Sequence, residues 1–170
     1  EKSKSFDIGY ETTLQNINAG LIVSVYKIEY EDALESWQSN GWKVKNTSAK
    51  VNSKGIELSS IWEPSQKIKI SFNYNYSDTF DGADCDDPNV GSTSCIDQSM
   101  VRVPRHSSNL NFNLKTKNNF KNILSLKYNG EVRDYGNANN SFKDVILDEY
   151  FTADYSLKYD LLNNGMIYMD

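Results

Sequence analysis

Six aspartates crowd the stretch "SDTFDGADCDDPNVGSTSCIDQS": Asp78, Asp81, Asp84, Asp86, Asp87 and Asp97. An oxygen-rich loop suits Ca²⁺, a hard cation that takes about six to eight oxygen ligands. The spacing departs from an EF-hand, because no alternating Asp/Asn run passes through a glycine to a closing glutamate. Asp84, Asp86 and Asp87 are therefore weak metal candidates, set against a plain solvated acidic loop. Cys85 and Cys95 lie ten positions apart in the same loop. They are expected to form a local disulfide, which implies an oxidising compartment; the competing reading is two free thiols. Zinc is disfavoured, because it wants about four ligands and the lone His106 is eleven residues beyond Cys95. Arg102, Arg105 and His106, around Pro104, read either as an anion site or as a strand start whose charges bond into a polar interior, with Pro104 at a bend or bulge. Trp37 and Trp42, in "ESWQSNGWK", read as stacking platforms for a ligand, as membrane-interface anchors or as loop packing. The chain shows no nucleophile elbow, no phosphate-binding glycine loop and no nucleophile–base set. Enzyme chemistry has no support, and no cofactor is expected.

The elements that carry these residues announce themselves by alternation. In "KIKISFNYNYS" the apolar positions are Ile68, Ile70, Phe72, Tyr74 and Tyr76, and the residues between them are polar. A period of two is a β-strand with one dry and one wet face. The pattern recurs at Phe6–Tyr10, Ile22–Tyr30, Ile56–Trp62, Leu110–Leu114, Leu124–Val132 and Phe151–Tyr159, and an eighth strand starts at Met166. In the second of these, Ile22, Tyr26, Ile28 and Tyr30 share one face, although Val23 and Val25 make the other apolar at one end. Short turn-forming connections are expected at 15–18, 63–66, 117–120 and 163–165, and long ones near 31–43, 79–100 and 136–149. The fold class is all-β: an antiparallel up-and-down meander.

Two architectures use such strands. A small soluble barrel turns its apolar face inward; a membrane barrel turns it outward to lipid and lines its lumen with polar residues. The mean hydropathy of −0.63 does not separate them, since barrel strands are half polar. No run of about 18 apolar residues exists to make a transmembrane helix. Three features favour lipid. The strands run about ten residues, enough to cross a bilayer. The polar positions hold isolated Asn, Ser and charges of both signs. Tyr26, Tyr30, Tyr74, Tyr76 and Tyr128 gather toward the long-loop ends and Trp62 toward a short turn, like two aromatic girdles. The lipid-facing set expected is Ile68, Ile70, Phe72, Tyr74, Leu110, Phe112, Leu114, Leu124, Leu126, Tyr128, Tyr155 and Leu157. A net charge of −5 and the lack of a basic patch argue against nucleic acid as a partner. The alternatives are a small soluble β-barrel that binds a ligand and an eight-stranded membrane barrel with a structural role.

Several segments in order resemble the C-terminal barrel region of TonB-dependent outer-membrane receptors: "EKSKSFDIGYE", "NSKGIELSSIWEP", "ISFNYNYSDT", "RVPRHSSNLNFNL" and "YNGEVRDYG". The resemblance covers nearly the whole chain and is similar in flavour to cobalamin or siderophore receptors. It implies that residues 1–170 are a fragment of a transmembrane β-barrel of about 22 strands, without its N-terminal plug domain. It implies a bacterial outer-membrane location, and import of a scarce metal chelate, iron–siderophore or cobalamin, with energy coupled through TonB. The partners it implies are outer-membrane lipid, the chelate and the TonB complex acting through the missing plug. Trp37, Trp42, Asp81 and Asp84 become candidates in loops that admit ligand. Lys67, Lys69, Asn73, Arg102, Arg105, Lys127 and Arg133 become candidates facing lumen or plug.

Overall fold

The structure is a computed structural model and describes residues 2–31, 34–38, 42–46, 51–81, 98–99, 102–116, 119–134, 145–160 and 166–169. The strands are β1 (Lys2–Leu14), β2 (Ala19–Glu31), β3 (Leu34–Gln38), β4 (Trp42–Asn46), β5 (Val51–Ser65), β6 (Ile68–Asp81), β7 (Gln98–Ser99), β8 (His106–Lys115), β9 (Phe120–Asn129), β10 (Val132–Asp134), β11 (Val145–Leu147), β12 (Tyr150–Asp160) and β13 (Met166–Met169). The main sheet runs β1-β2-β5-β6-β8-β9-β12-β13, with the short β7 also on β6. Every pairing is antiparallel, so the sheet is the meander that the alternation predicts.

The short connections lie at one end. Gln15–Ile17 forms a single 3-10 turn that closes on Asn18 in the left-handed region (φ 52°). There the Asn18 side-chain amide donates to the Glu63 carbonyl (3.0 Å) and the Glu63 N–H donates to the Asn18 carbonyl (3.0 Å). Asn tolerates this backbone because its short polar side chain bonds locally. The turn expected at 63–66 is displaced to Gln66–Lys67, since Ser65 still pairs with Ile68. Pro64 lies in the register shift between Trp62 and Ser65. A bulge is where a strand tolerates a residue without an N–H.

At the other end two of the long connections carry hairpins of their own. β3 pairs with β4, and β10 with β11. Trp37 is thereby opposite Lys43, and Trp42 opposite Gln38. Residues 82–97, with the Asp84–Asp87 candidates and both cysteines, lie outside the described residues.

Candidate functional site

Directly opposed residues share a face of a sheet, so the register sorts every side chain to one side or the other. One side is apolar. Tyr10, Val23, Leu58, Tyr74, Ser108, Tyr128 and Phe151 form one row across seven strands. The row toward the short turns is Thr12, Leu21, Ser60, Phe72, Leu110, Leu126 and Ala153; the next is Leu14, Ala19, Trp62, Ile70, Phe112, Leu124 and Tyr155. Ile68, Leu114, Asn122 and Leu157 close the belt below, and Ile8, Val25, Ile56, Tyr76 and His106 close it above. Five rows spaced two residues apart span about 27 Å along a strand, or roughly 20 Å of height at a barrel tilt of about 40°. That approaches the ~25 Å apolar band of an outer-membrane barrel.

These side chains do not converge on an interior. Tyr10 and Phe151 are 65% and 62% exposed, and Ile8, Ile56, Trp62, Leu124 and Tyr155 are exposed as well. Among the described residues β1 and β13 do not pair with each other, so this sheet does not close into a small barrel on its own.

Both borders of the belt carry aromatics with polar anchors. Below, the Trp62 indole N–H donates to the Ile17 carbonyl (3.1 Å), and the Tyr155 hydroxyl donates to Asn122 Oδ1 (2.6 Å). The Phe120 and Tyr159 rings pack with centroids 4.7 Å apart. Above, the Tyr74 hydroxyl meets His106 Nδ1 at 2.8 Å, the Tyr76 ring lies 5.1 Å from the His106 ring, and the Tyr128 hydroxyl donates to Glu149 (2.9 Å). Tyrosine suits such a border because one end is apolar and the other bonds water or headgroups. Beyond the Tyr76 row charges replace apolar groups on this side: Lys27, Lys54 and Asp78 occupy one register row.

Asp78 is held from both neighbouring strands, by Lys54 (3.6 Å) and Arg105 (3.4 Å). Its side chain is 13% exposed, whereas those of Lys54 and Arg105 are largely exposed. Exposed ion pairs are worth about 0.2–1 kcal/mol each. Asp78→Asn should therefore lower stability by less than about 2 kcal/mol, with the loss shrinking at high salt; denaturant titration at two ionic strengths checks this.

The other side is polar and hollows into a trough lined by Glu57, Ser59, Asn73, Asn109 and Lys127, among others. Short hydrogen bonds line it. Two cross from strand to strand: Ser59 donates to Asn73 Oδ1 (2.6 Å) and Ser125 donates to Asn111 Oδ1 (2.7 Å). A third runs along β8, where the Asn111 amide donates to Asn109. Lys127 pairs with Asp154 (3.6 Å) and Lys69 with Glu63 (3.1 Å).

One feature of this side departs from the sequence reading. Tyr26 is opposite Gly55, which is opposite Ser77. The Tyr26 hydroxyl reaches across the glycine to Ser77 Oγ (3.1 Å), which bonds Thr79 (2.9 Å), which bonds Ser53 (2.9 Å). Ser77 and Thr79 are the buried polar residues of this cluster. Tyr26, and with it Ile22, Ile28 and Tyr30, therefore belongs to the polar side, and Leu21, Val23 and Val25 supply the belt. Tyr26 and Tyr30 are not part of the upper girdle. The physical reason is that β2 is apolar on both faces near its start, and only its register with β5 decides between them.

Of the sequence candidates, Lys69, Asn73 and Lys127 stand on the polar side. Lys67 is at the short-turn mouth, where its carbonyl accepts from the Lys115 N–H (2.7 Å). Arg102 and Arg105 sit at the far rim. Arg102 adopts φ 62°, its N–H donates to the Arg133 carbonyl (2.7 Å), and its Nε donates to Asp134 (2.8 Å). Arg105 reaches Asp78, beyond the belt of the apolar side. Among the described residues no group of His, Cys, Asp and Glu is placed to hold a metal ion.

A family model described as TonB dependent receptor-like, beta-barrel matches residues 1–167. The chain belongs to this family. Solved structures of outer-membrane and siderophore receptors are among those it resembles. The siderophore receptor PiuA from Acinetobacter baumannii is 22% identical with a TM-score of 0.67, the match covering 98% of this chain and 23% of that one. The ferric-catecholate import receptor Fiu from K12 E. coli is 14% identical with a TM-score of 0.67, covering 95% and 21%. The pyoverdine outer membrane receptor FpvA from Pseudomonas aeruginosa PAO1 is 13% identical with a TM-score of 0.68, covering 95% and 23%. At these identities the likeness is one of fold. The chain spans under a quarter of the length of these receptors. No curated protein matches it. TonB-dependent receptor barrels are outer-membrane proteins, and the two-sided sheet has the chemistry that such a wall needs.

Proposed function

We propose that this chain is one arc of the barrel wall of a bacterial outer-membrane receptor that imports an iron–siderophore complex, with energy supplied through TonB. The observation that carries the reading is the sheet's two-sidedness: a five-row apolar belt on one side and a hydrogen-bonded polar trough on the other. Such a wall seals against lipid with one face and offers amide, hydroxyl and single charged groups to water and to an enclosed domain with the other. Lys69, Asn73 and Lys127 take the lumen-facing role. Trp37, Trp42 and Asp81 belong to strand ends beside the long connections, and with Asp84, which lies outside the described residues, they would meet the chelate first. The names of the matched receptors favour a siderophore over a cobalamin. The chain binds no cofactor of its own in this reading, and it works as a wall, not as an enzyme.

The test is uptake by cells with and without the whole receptor. Radiolabelled ferric siderophores of the catecholate and pyoverdine types should accumulate only with the receptor, and a protonophore should abolish the accumulation. Labelled cobalamin run in parallel decides between the chelates. Receptor-independent uptake of every chelate would sink the reading.

The acidic loop enters the same proposal. Cys85 and Cys95 should be bonded to each other in the exported receptor, closing a short loop that constrains the unfolded chain by nearly 3 kcal/mol on the chain-entropy model. Mass spectrometry of unreduced peptides should find the two cysteines linked. Thiol labelling of both residues in native outer membranes would refute the bond.

A further inference from the structure

Three described residues other than glycine have a positive φ: Asn18 (52°), Arg102 (62°) and Asn119 (64°). The two asparagines suit this region, since a short polar side chain bonds the nearby backbone and offsets the crowding at Cβ. Arginine has no such device, and the Arg102 side chain reaches away to β10. The sequence explains why the reversal falls on it. In "VRVPRH" Val103 precedes a proline, which drives it to the extended region, and the Pro104 ring fixes its own φ. Both residues resist a reversal, so Arg102 takes it. Beyond the proline the segment is tied to the wall. The Ser77 N–H donates to the Arg105 carbonyl (2.9 Å), Arg105 pairs with Asp78 (3.4 Å), and the Gly130 N–H donates to the His106 carbonyl (2.8 Å). Residues 103–106 thus form a stiff strap with Arg102 at its far end.

That end grips β10. The Arg102 N–H donates to the Arg133 carbonyl (2.7 Å), and its Nε donates to Asp134 Oδ1 (2.8 Å). The Arg102 side chain is largely exposed, whereas that of Asp134 is mostly covered. The β10–β11 hairpin continues the register of β9 and β12: Asn129 is opposite Tyr150, and Val132 is opposite Leu147. Between these pairs Gly130, Glu131, Asp148 and Glu149 form no ladder. Carried through the gap, the same register would set Glu131 opposite Asp148, a like-charge pair that disfavours pairing. The hairpin is therefore joined to the wall through an unladdered gap that includes a glycine, where a ribbon bends easily. A left-handed arginine is a standing cost, and one backbone bond and one exposed charged bond offset it. The opposing terms are of the same order, so the contact has two accessible states. We propose that Arg102 is a strained latch. Closed, it holds the β10–β11 hairpin against the strap at the long-connection end. Open, its φ turns negative, both bonds are lost, and the hairpin swings about the gap at 130–131 and 148–149. The inference rests on the fold alone and needs neither the chelate nor TonB.

Hydrogen exchange read by mass spectrometry tests it in the whole receptor in lipid vesicles. The amides of Val132–Asp134 and Val145–Leu147 report the hairpin, and those of β6 and β8 report the wall. Arg102→Ala removes the side-chain bond and keeps the backbone cost, so hairpin exchange should rise about tenfold. Arg102→Gly removes the same bond together with the backbone cost. Its N–H then keeps hold of the Arg133 carbonyl, and the rise should be smaller than in the alanine variant. In an Asp134→Ala background, Arg102→Ala should add nothing further, because its partner is already gone. Wall amides should stay protected in every variant. Alanine exchanging faster than glycine is the mark of stored strain; a contact without strain would rank them the other way, since glycine is the more flexible residue. Glycine exchanging as fast as alanine or faster overturns the latch. So does an unchanged hairpin in the alanine variant, a further rise in the double variant, or an equal loss of protection in β6 and β8, which would mark a general loosening of the barrel.

Discussion

Replacing Phe72 by arginine should destabilise the folded receptor in a bilayer by about 2–4 kcal/mol, the range for a cation placed on the lipid face at the midplane of a barrel. Phe72 lies in the middle row of the five-row belt, between Ser60 and Leu110. Neither neighbour offers a carboxylate, and the rows above and below are largely apolar, so an arginine there must thin the bilayer or carry water inward. The adjacent residue gives the control. Asn73 points to the polar trough, where the Ser59 hydroxyl donates to it at 2.6 Å, and Asn73→Arg should lose only that neutral bond, about 0.5–1.5 kcal/mol. Denaturant titration of the whole receptor refolded into lipid vesicles measures both. Equal losses at positions 72 and 73 would mean that the two sides of the sheet meet the same medium, and the belt would not be a membrane face.

The strict alternation of Lys67–Ser77 made this prediction possible from sequence alone, and the register bears it out from Ile68 to Tyr76. Alternation failed as a guide in β2, where "AGLIVSVY" is apolar at both parities. The side that joins the apolar belt there follows from pairing with Ile56 and Leu58, a non-local fact. The long connections were legible as long, but the β3–β4 and β10–β11 hairpins inside them were not anticipated. Trp37 and Val44, or Val132 and Ile146, are strand formers in segments too short for a period to emerge. Pro64 moved the turn after β5 because it is accommodated in a bulge and does not end the strand. The loop carrying Asp84, Asp86, Asp87, Cys85 and Cys95 lies outside the described residues, so its candidates stand on sequence spacing.

The β2 departure leads to the second large effect. Gly55 is buried, and a Cβ built there would sit on the Tyr76 carbonyl oxygen and 2.6 Å from the Tyr26 hydroxyl. The glycine is thus the slot that lets the Tyr26 ring lie flat across β5 and reach Ser77. Gly55→Ala should cost about 1–3 kcal/mol or more, as overpacking of a tight site does. It should also break the chain of hydroxyls from Tyr26 through Ser77 and Thr79 to Ser53. Tyr26→Phe separates the two contributions. It keeps the ring over Gly55 and removes one neutral hydrogen bond, worth about 0.5–1.5 kcal/mol. A further variant tells backbone from side chain. If the Tyr26 ring were the whole obstacle, Gly55→Ala would become harmless in a Tyr26→Ala background. The Tyr76 carbonyl belongs to the β6 backbone and cannot swing away, so the alanine should still destabilise when the ring is gone. Unfolding midpoints in vesicles of the wild type, Gly55→Ala, Tyr26→Ala and the double variant decide the matter, and full rescue by Tyr26→Ala would show that the carbonyl contact carries no weight.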